Sequence, residues 1–472
     1  MKLYKKIFIS VVIILTGLFI SSISTQAAPV QQPDFRDDRI AAEEWAHSNY
    51  SDWRNKLSAT EINAINTLNE SDPSTNINVN RELEMLGGNL NNRPTDASIP
   101  TKRYKDVVSN IDKAINRVGT RLDDSLVVYR NDSTYDIIGM YDHEIKNTDG
   151  SINREFISKL KESWKNGLSR SFMKVDIAED SRKSEGIIHW RISLPKGTKT
   201  GHINGNEIFL ERDVGVLITD IRIITRRGSE AIRVEARLVP KEHVINQQQN
   251  VLENLNKDIN RILGLSSGTQ FLNFELHSLG SSTVSNNVRE LLRDFSTQIH
   301  NTVIEKTIKF LKKGGGHLVF TDIPLTSIPK VYFPQPPKES VLSLYREATG
   351  VTNKYNKTIF INSLESFFVG SNKIKTNDLV HEFGHAFDLY IGMYELGIKD
   401  SLISDSEEFK NIFKEESPKL ANMYARTNQN EFFAEVFRMI NSDRADYKES
   451  LLTKAPRAFD FIKKRIDRTI DQ

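Results

Sequence analysis

The segment His381-Glu382-Phe383-Gly384-His385 constrains this chain more than any other stretch. Two imidazoles four positions apart share a face only on an α-helix, so the segment must be helical and must aim that face at one point. Glu382 between them is placed to reach a water on an ion that the imidazoles hold. The chain contains no cysteine, which excludes disulfides and thiolate ligands and leaves imidazole and carboxylate to hold a metal. The pair His143-Glu144 lacks a second histidine and reads as an ordinary solvated pair.

Catalytic zinc sites use three protein ligands and keep a fourth position for water. Downstream, Glu431-Phe432-Phe433-Ala434-Glu435 sets two carboxylates four apart on another helix, and Glu431 is the candidate third ligand beside His381 and His385. Glu435 has two readings: a carboxylate holding a ligand imidazole by its outer N–H, or a solvated helix position. Phe432, Phe433 and Phe437 supply the apolar faces that would bury this helix. Tyr424 also has two readings, a phenol over the metal that donates to an oxyanion, or a tyrosine packed at a domain surface. One Zn²⁺ per chain, Glu382 as base and hydrolysis of peptide bonds in a protein or peptide substrate are the expectations.

Residues 1–27 read as a secretory signal, with Lys2, Lys5 and Lys6 ahead of the apolar run Ile7 to Ile20 and a Thr25-Gln26-Ala27 cleavage site. A secreted, extracellular protein with no stable membrane insertion after cleavage is expected. Losing three lysines and no acids takes the formal charge from +2 to −1, which gives no broad attraction to nucleic acid.

A length of 472 residues suggests two or three domains. Helical periodicity runs from near Asp37 to Trp53. A second helix starts at Ser58, where Ser58 and Glu61 have capping-box spacing, and a third spans Tyr104 to Ile115. Strands follow at Leu126 to Tyr129, Ile187 to Ile192, Glu207 to Leu210, Val214 to Ile224 and Ala231 to Leu238, so an α+β domain is predicted over 35–245. Pro240 and the Asn246 to Asn250 run read as its edge. A second domain over 262–472 is predicted to hold a strand at Phe271 to Leu276, one long helix from Val288 to Leu311, a turn at Gly314-Gly315-Gly316, strands at His317 to Asp322 and Thr358 to Ile361, and a helix from near Asn377. Either of those last two strands is a candidate edge for docking an extended peptide.

The stretch from His381 to Glu435 resembles the protease domain of the anthrax lethal factor family in the phrases HEFGHAFD, FKEE, RTN and EFFAEVFR. Similarity continues through GLSSGTQF, VFTDI and FDFIKKRI. The resemblance implies a zincin fold with His381, His385 and Glu431 as ligands, Glu382 as base and Tyr424 assisting the transition state. The related Pro-Pro endopeptidases share the smaller fold, and both groups favour proline near the scissile bond.

The first domain resembles the ADP-ribosyltransferase fold of bacterial binary toxins in WAHSNYSDWRNKLSATEINAIN, VVYRND and NGNEIFLERDVGV. Arg130 and Glu207 match the NAD-anchoring arginine and the last residue of the catalytic glutamate pair. Lys174-Val175-Asp176 stands where Ser-Thr-Ser would be, and Gly205 occupies the first position of the pair. An inactive copy is therefore expected, with residual mono-ADP-ribosylation or a purely non-catalytic binding role as the alternatives. Nothing resembles the family's amino-terminal domain that binds a translocating partner, which argues against such a partner and for an extracellular or surface substrate.

Overall fold

The computed structural model describes residues 33–69, 78–92, 101–179, 186–262, 265, 268, 270–332, 348–363 and 372–472. The expected signal over 1–27 lies outside them. No helix among the described residues is long and apolar enough to cross a membrane.

The first domain opens with helices α1 (Arg39–Asn55), α2 (Ala59–Asn66), α3 (Val79–Met85) and α4 (Thr101–Ile115). The capping box at the start of α2 is present, with Ser58 and Glu61 each satisfying the other's backbone N–H. Strands then build an eight-stranded sheet in the order β2-β7-β8-β4-β1-β3-β6-β5. Its strands are β1 (Leu126–Asp132), β2 (Asn166–Ser169), β3 (Lys174–Asp176), β4 (Ile188–Leu194), β5 (Thr200–Asn204), β6 (Glu207–Leu210), β7 (Val214–Arg226) and β8 (Ser229–Pro240). Three of these, β2, β3 and β5, and the helices α3, α5 (Thr134–Ile138) and α6 (Arg154–Ser163), were not read from the sequence as elements. The short strands carry Asn, Gly, Lys and Asp and lack clear alternation, so local pattern does not announce them.

The Asn246 to Asn250 run is not a break between elements: it lies inside α7 (Lys241–Ile262), a 22-residue helix that continues directly from β8, although the last strand residue of the first core, Leu238, and the first residue of the second core, Leu252, stand on either side of it. The run is polar, but Val244, Leu252, Leu255 and Ile259 keep a buried stripe along α7. The predicted helix from Val288 to Leu311 is two, α8 (Ser281–Gln298) and α9 (Asn301–Lys313). Ile299 turns extended at φ −111°, ψ 138° and the His300 side chain caps the second helix, so an unbroken apolar period hides the break.

The second sheet runs β11-β12-β10-β9, with β9 (Leu272–Glu275), β10 (Leu318–Thr321), β11 (Gly350–Asn353) and β12 (Thr358–Asn362). β10 is parallel to both β9 and β12, while β11 runs antiparallel to β12. Neither strand predicted to dock a peptide is an edge, since β10 and β12 are both flanked. The outer strands are β9 and β11, and the Gly-Val-Thr-Asn sequence of β11 gives little strand signal. The glycine turn is as expected, with Gly315 at φ 79° and a Cβ on Gly316 falling 2.0 Å from the Lys357 carbonyl oxygen.

The two domains are joined by more than α7. Leu279 enters the first domain's core, its carbonyl accepts from Trp164 Nε1 at 2.8 Å, and Ser282 Oγ caps the backbone N–H groups of Lys165 and Asn166 at 2.9 and 3.0 Å. Gly167 permits this approach, because a Cβ there would stand 2.0 Å from the Leu279 oxygen. All four tryptophans of the chain, Trp45, Trp53, Trp164 and Trp190, precede residue 240, so indole fluorescence reports the first domain.

His189 on β4 is 6% exposed, and its Nδ1 accepts from Arg226 Nη1 at 3.3 Å. Burial, with the Arg226 and Arg233 charges beside it, depresses the imidazole to about 4. The folded state thus resists a proton that the unfolded chain takes near 6.5, so stability is intact above that pH and falls as pH drops toward 4, by at most about 3 kcal/mol. His189→Gln should flatten the pH dependence of the urea midpoint, followed by tryptophan fluorescence, between those values.

Candidate metal centre

The helix carrying the histidines, α10, spans Asn372–Leu396 and begins about a turn before the sequence suggests. After α11 (Glu407–Glu416), the chain returns so that α10 crosses α12 (Gln429–Ile440), the helix of Glu431. Gly384 is the point of closest approach: a Cβ there would lie 3.0 Å from Ala434 Cα and 3.2 Å from its carbonyl oxygen. Phe383, Phe387, Phe432, Phe433 and Phe437, none more than 2% exposed, fill the space around the crossing, as the apolar positions of both motifs require. A polar clasp adds to it. Ser404, between the helices, donates from its backbone and hydroxyl to Asp388 on α10, and its hydroxyl lies 2.9 Å from Asn430 Oδ1 on α12.

Asn428 fixes the start of α12. Its Oδ1 accepts from the N–H groups of Asn430 and Glu431, both at 2.9 Å, which sets Glu431 in the first turn with its side chain toward α10. Glu431 Oε2 lies 3.1 Å from His381 Nε2 and 3.3 Å from His385 Nε2, and the two imidazole rings stand 4.9 Å apart at 86°. One donor atom from each of His381, His385 and Glu431 lies within 4.8 Å of the others, the one such cluster found among the described residues. His143, the control, is an exposed ring stacked on Tyr141.

The residues fit a metal ion. Burial alone would lower His381, yet the carboxylates of Glu431 and Glu435 raise it to about 10, so the pocket is built to hold positive charge. Glu435 Oε1 lies 2.9 Å from His381 Nδ1, an ion-pair contact that draws a proton to that nitrogen and leaves Nε2 as the nitrogen facing the cluster. Glu435, 6% exposed, is therefore not a solvated position. Burial pushes its carboxyl up, but His381 and Arg438 bring it down to about 2. Arg438 and Asn422 hold its other oxygen at 2.7 and 2.8 Å, contacts no sequence pattern announced. Two imidazole nitrogens and a carboxylate oxygen form a donor set suited to zinc.

Glu382 is 6% exposed, and burial pushes its carboxyl above the usual range while His385, His381 and the Thr352 hydroxyl pull it back. Tyr424 sits at the rim, half exposed, on the short turn Tyr424–Arg426, its ring 5.6 Å from that of His381. Asn422 accepts from the Tyr424 N–H at 2.9 Å and so ties this turn to Glu435. Burial and the Glu431 and Glu382 carboxylates raise the phenol, which stays protonated and able to donate.

In the first domain Arg130 and Glu207 stand on β1 and β6, separated by β3. Asp132 grips the Arg130 guanidinium through two bonds of 2.7 Å. Glu84, which accepts from Ser171 at 2.7 Å, adds negative charge. Glu207 accepts from Asn69 at 2.9 Å.

Two family models match the chain: "Anthrax toxin lethal factor, middle domain" over residues 6–239 and "Anthrax toxin lethal factor, N- and C-terminal domain" over residues 269–465. The lethal factor of Bacillus anthracis is 30% identical over 399 residues, covering 82% of this chain and 47% of the relative, so the chain spans about half the length of the curated relative it matches. Among solved structures, the ADP-ribosyltransferase toxin Plx2a from Paenibacillus larvae matches at 25% identity over 44% of this chain and 98% of its own, with a TM-score of 0.36. The C2-I component of the C2 toxin of Clostridium botulinum matches at 16% identity over 58% and 67%, with a TM-score of 0.37.

Proposed function

This chain is an anthrax lethal factor-like protein, an ADP-ribosyltransferase-like domain followed by a zincin-like lethal factor C-terminal domain, and from that premise we propose that it is a secreted zinc-dependent endopeptidase of toxin or virulence-factor type. The observation that carries the reading is the convergence of His381, His385 and Glu431 within 4.8 Å, with Glu382 on the same helix. These three residues would hold the zinc, which when bound polarises the scissile carbonyl and brings the pKa of water toward neutrality. Glu382, raised by burial, takes the proton from the attacking water and then returns it to the departing amine. The Tyr424 hydroxyl donates to the oxyanion from the rim. Glu435 keeps His381 in the tautomer that binding needs.

An extended protein or peptide substrate, with proline near the scissile bond, would add as a strand to β11, an outer strand of the sheet among the described residues. Arg130, already neutralised by Asp132, has no charge to spare for a dinucleotide phosphate, which supports an inactive first domain. The mature protein should cleave members of a proline-containing peptide library, lose at least about 100-fold of that activity on chelation, and regain it with one equivalent of Zn²⁺. A chain that binds no stoichiometric zinc would instead be a non-catalytic binding protein.

A further inference from the structure

Two residues of β11 face the base rather than the substrate side of the sheet. Thr352 Oγ1 lies 2.7 Å from Glu382 Oε2 and 2.8 Å from the Glu382 carbonyl oxygen. Two positions along, on the same face of the strand, Gly350 lies so close that a Cβ there would stand 2.5 Å from Glu382 Cγ and 2.9 Å from Oε1. We propose that Thr352 is a positioning residue for Glu382, holding one oxygen of its carboxyl and leaving the other to face the cluster, and that Gly350 lets the strand come close enough to do so. The proposal rests on Glu382 being the base.

The chemistry follows from a hydroxyl's single proton and two lone pairs. While Glu382 is ionised, the Thr352 proton goes to Oε2, a charged acceptor and the stronger of the two. With Oε2 held by Thr352, Oε1 is the oxygen left to take the proton from water and to return it. One fixed oxygen then serves both transfers, so the carboxyl need not rotate between them. Because β11 is an outer strand, a peptide added to it would sit on the element that steadies Glu382.

The test uses the mature chain with Thr352→Val, Thr352→Ser, Gly350→Ala and Glu382→Gln, a proline-containing peptide that the wild type cleaves, and zinc analysis. Thr352→Val should lower kcat about 10- to 100-fold with KM and zinc content unchanged. Thr352→Ser should restore kcat to within about threefold, and Gly350→Ala, which removes no polar group, should lower kcat by displacing Glu382. A readout free of turnover accompanies this: by calorimetry on the metal-free protein, Thr352→Val should lower the melting temperature by about 2–4 °C with Glu382 present and by much less in a Glu382→Leu background. Equal shifts in both backgrounds would overturn the proposal, as would full activity of Thr352→Val beside an inactive Glu382→Gln, a result that leaves the endopeptidase reading standing. Activity retained by Glu382→Gln would instead remove Glu382 as the base, the assignment on which the proposal rests.

Discussion

Glu382→Gln is expected to reduce peptide cleavage by about 10²- to 10⁴-fold while the protein still holds one zinc per chain. Glutamine keeps the volume and the hydrogen-bonding length of glutamate, so a side chain that is 6% exposed should pack unchanged between α10 and β11. It cannot accept the water's proton, and that single deficit corresponds to about 3–5 kcal/mol of barrier. The donors converge from His381, His385 and Glu431, none of which the change touches. Steady-state kinetics beside atomic emission analysis separates the two effects. Loss of zinc together with activity would mean that Glu382 is part of the metal's support, and retained activity would mean that the base lies elsewhere.

Gly384→Val should remove the metal centre altogether, by a different route. The Cβ alone would meet Ala434 Cα at 3.0 Å, a distance the crossing can relieve by a shift of a few tenths of an ångström, so Gly384→Ala should be tolerated. Two further methyl groups meet the backbone of α12 itself, and overpacking of this kind costs about 1–3 kcal/mol. The strain is relieved by moving α12 away from α10, and Glu431 moves with it. Because the donors now lie within 4.8 Å of one another, a displacement of about 1 Å suffices to spoil three-point ligation. Zinc per chain should fall well below one and activity with it, while the tryptophan-reported transition of the first domain stays in place. Full zinc content with an unchanged melting temperature in Gly384→Val would show that the crossing does not set the site.

Much of this site is legible in the sequence because its logic is local. His381, Glu382 and His385 share a helix face by periodicity, and Glu431 and Glu435 do the same on their own helix, so each half of the centre can be read from one turn. What spacing left open for Glu435 is closed by its 2.9 Å approach to His381 Nδ1 and its burial. Tyr424 was ambiguous for the same reason: a phenol seven residues before a ligand can point anywhere until the turn that carries it is fixed, and Asn422 fixes it through Glu435. Asn428 was readable in principle, as an N-cap type three residues before the ligand, and its two bonds explain why Glu431 lies in the first turn.

The sequence by itself determined the two cores, the capping box of α2, most of the longer strands and the two helices that carry His381, His385 and Glu431, because apolar periodicity and capping are properties of neighbouring residues. Only the tertiary structure decided that β10 and β12 are interior, that β11 is an outer strand, that α8 and α9 are separate, and that Gly350 and Thr352 lie against Glu382. Strand order and the approach of one element to another depend on which surfaces find each other across tens or hundreds of residues, and a four-residue strand of Gly, Val, Thr and Asn carries too little local preference to reveal its neighbours.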